Sequence, residues 1–127
     1  MDPIEIDALE KATRRDAAAL QPLRAQLLGP LAASPDKQIR WHVAQLLPRL
    51  MLTGAAQKRA RASILKRWFD DDESAIVRVN ALQALCDLAR GEPSLRAETK
   101  RRLRAALTDP SAAVRARARK LVDVFRG

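Results

Sequence analysis

A single cysteine and a single histidine stand among the 127 residues. One cysteine excludes an intramolecular disulfide, and with it the small secreted scaffolds stapled by several. The same two residues are too few for the usual Cys/His zinc sites. Aromatics are scarce as well, with two Trp, two Phe and no Tyr. Arg or Lys interrupts every apolar run before it reaches the ~18 residues of a membrane-spanning segment. The opening Met1-Asp2-Pro3-Ile4-Glu5 is acidic and does not lead into an apolar stretch, unlike a secretory signal. Nucleophile elbows, phosphate-cradling glycine loops and metal-ligand spacings are missing too. These absences predict a cytoplasmic protein that is not an enzyme, uses no cofactor, binds no metal and enters no membrane.

What is there is globular in composition, with 47 % hydrophobic and 31 % charged residues. The length fits one domain over 1–127. The formal charge is +9, and it is uneven. From Arg96 onward ten basic residues face only Glu98, Asp109 and Asp123, a net of +7 that leaves +2 for the first 95 residues. A basic end of this kind suits an acidic partner.

The most informative feature is an internal repeat. Ser34-Pro35-Asp36-Lys37-Gln38-Ile39-Arg40 aligns without gaps on Asp72-Glu73-Ser74-Ala75-Ile76-Val77-Arg78 and on Asp109-Pro110-Ser111-Ala112-Ala113-Val114-Arg115. The β-branched anchors Ile39, Val77 and Val114 are 38 and 37 residues apart. From each anchor, apolar residues follow at offsets 4, 8 and 11: Val43, Leu47, Leu50; Ala81, Leu85, Leu88; Ala118, Val122, Phe125. That spacing predicts an amphipathic helix, not a strand. A second helical pattern precedes each anchor: Leu20, Leu23, Leu27, Leu31; Ile64, Leu65, Trp68, Phe69; Leu95, Thr99, Leu103, Leu107. Ser34-Pro35 and Asp109-Pro110 read as N-caps followed by proline at the first helical position. Gly54 and Gly91 read as helix C-termini, and Asp2 to Glu5 as a capping box opening a helix over about 3–14. Pro22 and Pro48 fall inside helical patterns, where one starts a helix and the other kinks or ends one. The run Asp70-Asp71-Asp72-Glu73 reads as a helix end leading into the next cap rather than as a cation site. Seven helices result.

A helix pair per 37–38 residues is the mark of an α-solenoid. An Asp five positions before a Val-Arg pair, as in Asp72 with Val77-Arg78 and Asp109 with Val114-Arg115, resembles the HEAT repeat, one of the armadillo-like families. The first copy departs, with Ser34 where Asp is expected. The resemblance implies an all-α, right-handed α-α superhelix of three hairpins, over about 16–53, 54–91 and 92–127. It also implies that Asp72, Asp109, Arg40, Arg78 and Arg115 form a structural ladder between turns. Arg119 and Arg126 replace apolar residues of the earlier copies and read as the polar face of a terminal repeat.

In such stacks the second helices line a concave binding face. Positions off the core stripe nominate Trp41, His42, Gln45, Arg49, Asn80, Gln83, Asp87, Arg117 and Lys120 as partner-binding residues. Equivalent offsets predict one row of His42, Asn80 and Arg117 and a parallel row of Gln45, Gln83 and Lys120. Trp41 is either an interface anchor or packed under the N-terminal helix. Trp68 and Phe69 read as core, and Cys86 as a small filler near the face's edge. The function expected is a small protein-interaction scaffold whose partner is another protein or an acidic peptide segment. Nucleic-acid binding through Arg101, Arg102, Arg104, Arg117 and Lys120 is the alternative. Oligomeric state is not legible.

Overall fold

The computed structural model describes residues 1–125, and side chains up to Asp123. Among them there are seven α-helices and no strand. In chain order these are α1 Pro3–Ala12, α2 Arg24–Leu28, α3 Lys37–Leu46, α4 Ala55–Asp71, α5 Ala75–Ala89, α6 Arg96–Ala106 and α7 Ala112–Leu121. The chain divides into two compact units, Met1–Ile64 and Leu65–Gly127, with the boundary inside α4. In the first unit α1 packs on α3; in the second, α5, α6 and α7 pack on one another. No helix among the described residues is long and apolar enough to cross a membrane.

Most of the predicted stripes form the core, while Leu23, Leu107 and Val122 are half-buried. Ile39, Val43, Leu47 and Leu50 are buried in the first unit, and Val77, Ala81, Leu85, Leu88, Val114 and Ala118 in the second. Trp68 and Phe69 join them. The Phe125 side chain and Arg126 lie outside the described residues.

The helix starts follow one local rule, set two residues later than the sequence suggested. Ser34 Oγ accepts the Asp36 N–H at 3.1 Å, and Asp36 is the N-cap of α3, accepting from Gln38 N–H at 2.8 Å. Asp72 accepts the Ser74 N–H at 2.9 Å, and Ser74 caps α5. Asp109 accepts the Ser111 N–H at 2.9 Å, and Ser111 caps α7. The first residue closes a turn and the third caps the helix, so Ser/Asp and Asp/Ser do the same work in opposite order. Ser34, the apparent departure, is equivalent to Asp72 and Asp109. Pro35 and Pro110 precede their helices rather than open them. Two of the three arginines that follow the anchors bond back to the corner at the start of their own helix. Arg40 donates to the Ser34 and Pro35 carbonyls, and Arg115 to those of Asp109 and Pro110.

Three local expectations need correction. The Leu20–Leu31 pattern is not one α-helix, because Ala17–Leu23 is 3-10 and contains Pro22, which has no N–H for an interior α-helical bond. Pro48 lies in a 3-10 turn, Leu47–Arg49, that ends α3. Gly54 stands before α4, its carbonyl accepting the Lys58 N–H at 3.1 Å, so it opens a helix instead of closing one. The N-terminal capping box is present as read, with Asp2 and Glu5 exchanging side-chain and backbone bonds. Its helix ends at Ala12, two residues early, with the Thr13 hydroxyl donating to the Leu9 carbonyl.

Candidate functional site: the outer face of α5 and α7

In the second unit α5 is buried over most of its circumference, Val79, Leu82 and Cys86 as well as Val77, Ala81, Leu85 and Leu88, and one narrow side stays accessible. Ile76, Asn80, Gln83 and Asp87 lie along that side at helical spacing. Asp87 is exposed, Asn80 and Gln83 are half-buried, and Ile76 keeps 42 % of its surface in water. Ile76 was not nominated from sequence. Its signal is its place four, seven and eleven residues before the three polar positions.

The packing of α7 on α5 adds Arg117 and Lys120 to this surface. Arg117 Nη1 donates to Gln83 Oε1 at 3.0 Å, and Gln83 Nε2 donates to Asp87 Oδ1 at 3.0 Å. Asn80 Nδ2 donates to the Ile76 carbonyl at 2.8 Å. A cation, an amide and a carboxylate are thus joined in series, and the amide is held in one orientation. Arg117, expected in a row with Asn80, makes its hydrogen bond to Gln83 of the parallel row. Lys120 is exposed beside them on α7.

The nominated residues of the first unit have a different fate. His42 is 5 % exposed, with Nε2 3.1 Å from Asp7 Oδ1 on α1 and Nδ1 2.6 Å from the Gln38 carbonyl. Arg49 donates to the Glu10 carbonyl at 2.7 Å, to Thr13 Oγ1 at 3.0 Å and to Glu10 Oε2 at 2.5 Å. Both were expected on an open surface, and both instead fasten α1 to α3. Two arginines, Arg14 and Arg49, hold the Glu10 carboxyl down to about 2 against the opposing effect of burial. Asp7 is lowered too, first by Lys11 and then by His42. Trp41 is half-buried and stacks on His42 with ring centroids 3.9 Å apart, and Gln45 is half-buried on the same helix.

The basic cluster also shrinks. Arg102 forms a two-pronged pair with Asp70, at 3.0 and 2.8 Å, and Lys66 pairs with Glu98 one turn away. These two rungs tie the C-terminal part of α4 to α6. They leave Arg101 and Arg104 exposed, with no ion pair among the described residues.

The ladder arginine Arg78 spans two turns, donating to both Asp109 carboxylate oxygens at 2.9 and 2.6 Å and to the Phe69 carbonyl at 2.8 Å. Its guanidinium lies 5.1 Å from the Phe69 ring centre. Arg78 lowers the Asp109 pKa, helped by the Ser111 N–H, and Asp109 raises that of Arg78. Beside this pair an open cleft of about 390 Å³ is lined by Asp70, Asp71, Asp72 and Glu73. Among the described residues no group of His, Cys, Asp or Glu is arranged to hold a metal ion.

No family model, curated protein or solved structure matches this chain.

Proposed function

We propose that the chain is a small HEAT-like scaffold, a right-handed superhelix of three hairpins with an added N-terminal helix, that binds a protein partner without catalysis in the cytoplasm. Support for the architecture comes from the corner that recurs at Ser34–Asp36, Asp72–Ser74 and Asp109–Ser111, each followed by a buried anchor and an inward-bonding arginine. The observation that carries the binding role is the α5–α7 face, where Arg117, Gln83 and Asp87 are pre-oriented by their own hydrogen bonds. Side chains already fixed lose less entropy when a partner arrives. Ile76 supplies an apolar contact at one end, and Arg117 with Lys120 supplies positive charge at the other. An extended, acidic peptide segment fits that sequence of contacts.

The test uses a partner captured by the full chain after nuclease treatment. Asn80→Ala, Gln83→Ala and Arg117→Ala together are expected to weaken it at least tenfold, about 1.4 kcal/mol, with the helical spectrum unchanged. Charge reversal of Arg101 and Arg104 should leave it intact. The opposite pattern, with a salt dependence of about 0.9 per phosphate in the log–log slope, replaces this reading with nucleic-acid binding at the exposed arginines of α6.

A further inference from the structure

Two helix faces in this chain are left open, one apolar with acids at its start and one basic. On α1, Ile4 is 81 % exposed and Met1 beside it 47 %, the former the most exposed large apolar side chain described. Glu5, Ala8, Lys11 and Ala12 are exposed on the same side. Of the acids of residues 1–12, Asp7 is bonded to Lys11 and His42 and the buried Glu10 to Arg14 and Arg49, so Asp2 and Glu5 are the exposed ones, at the start of the helix. The open side of α7 presents Ala112, Ala113, Arg119 and Lys120, and that helix carries Arg115, Arg117, Arg119 and Lys120 with no acid, a net of +4.

The way helices pair inside each unit indicates how these faces meet. Three residues past each of two anchors, a side chain reaches back to the helix packed before it. His42 of α3 reaches Asp7 of α1, and Arg117 of α7 reaches Gln83 of α5. Gln83 lies six residues past its anchor, and the residue at that position of α7 is Lys120. Lys120 therefore occupies the place from which α5 receives its following helix.

We infer that a second copy of this chain supplies that helix, its α1 docking on the open side of α7 with Glu5 against Arg119 and Lys120 and Ile4 against the alanines. The contact joins different surfaces of the two copies, so it is heterologous, and each copy retains one unused half. Small side chains on α7 let the backbones approach, and removing Ile4 from water adds an apolar contribution. Lys11 does not oppose the contact strongly, because Asp7 holds it at 2.9 Å.

Sedimentation equilibrium of the full chain over a concentration series, at low and high salt, tests this. The mass should rise with concentration at low salt and fall back toward the monomer at high salt, since charges at such a surface are screened within about 10 Å at 0.1 M. Glu5→Lys alone and Arg119→Glu with Lys120→Glu should each weaken association at least tenfold. Mixing the two variants should restore it, because Glu5 of one then meets Arg119 and Lys120 of the other, and the two reversed faces match as well. Ile4→Asp should abolish it in both wild type and mixture. A monomer at every concentration, association indifferent to these substitutions, or a mixture no better than its components would each overturn the inference. Glu5→Lys and Ile4→Asp lie outside the proposed partner face and probe the association separately from it, whereas the Arg119 and Lys120 variant also changes Lys120 of that face.

Discussion

Glu10 offers a direct test of how α1 is held. Its carboxyl is 5 % exposed and receives Arg14 through two bonds and Arg49 through one. Its pKa falls from 4.5 to about 2, with the Arg14 hydrogen bonds the largest cause. At about 1.36 kcal/mol per pH unit, that difference between folded and unfolded chain is worth roughly 3 kcal/mol. Because the folded value is the lower one, the contribution is complete above about pH 4.5 and disappears as the pH falls through about 2. The perturbation is Glu10→Gln, which keeps the shape and removes the charge, leaving the half-buried Arg49 without its counter-ion. Urea unfolding of wild type and variant near pH 6 should differ by about 3 kcal/mol, and the gap should close steadily on acidification. Following the Glu10 carboxyl by NMR in the same range should give a midpoint near 2. A gap under about 1 kcal/mol at pH 6, or one that stays constant down to about pH 2, would refute the assignment of α1 docking to this network.

Three other outcomes follow from the second unit. Arg78→Ala should cost about 3 kcal/mol in thermal or denaturant unfolding, because it strands a carboxylate that is mostly buried; Arg78→Lys should recover only part, since an ammonium cannot make the two-pronged bond. Leu85→Ala, at a fully buried position, should cost about 2–5 kcal/mol and broaden side-chain NMR signals around it. Burial pushes the Cys86 thiol up to about 12, so a thiol-reactive dye near pH 8 should label it only at the rate of opening or unfolding; fast labelling of the native chain contradicts the burial.

The sequence by itself determined the repeated helices, their phase and most of their core, though not the broken Leu20–Leu31 segment. Ile39, Val77 and Val114 recur at a fixed period, and the residues four and eight positions later must share a face whatever the rest of the chain does. The corners were nearly as legible, because a Ser or Asp bonding to an N–H two or three residues on needs no distant partner. The cap was misplaced by two residues since both Asp and Ser can fill it, and only the backbone shows which one does. Tertiary structure decided which polar residues remain available. His42, Arg49 and Arg102 look as exposed in a helical projection as Gln83 or Lys120. They are consumed by Asp7, Glu10 and Asp70, partners 32 to 39 residues away in the chain. Periodicity fixes which side of a helix a residue occupies and is silent on what packs against that side. The choice between a buried tie and an open contact is made when α1 meets α3 and α6 meets the end of α4.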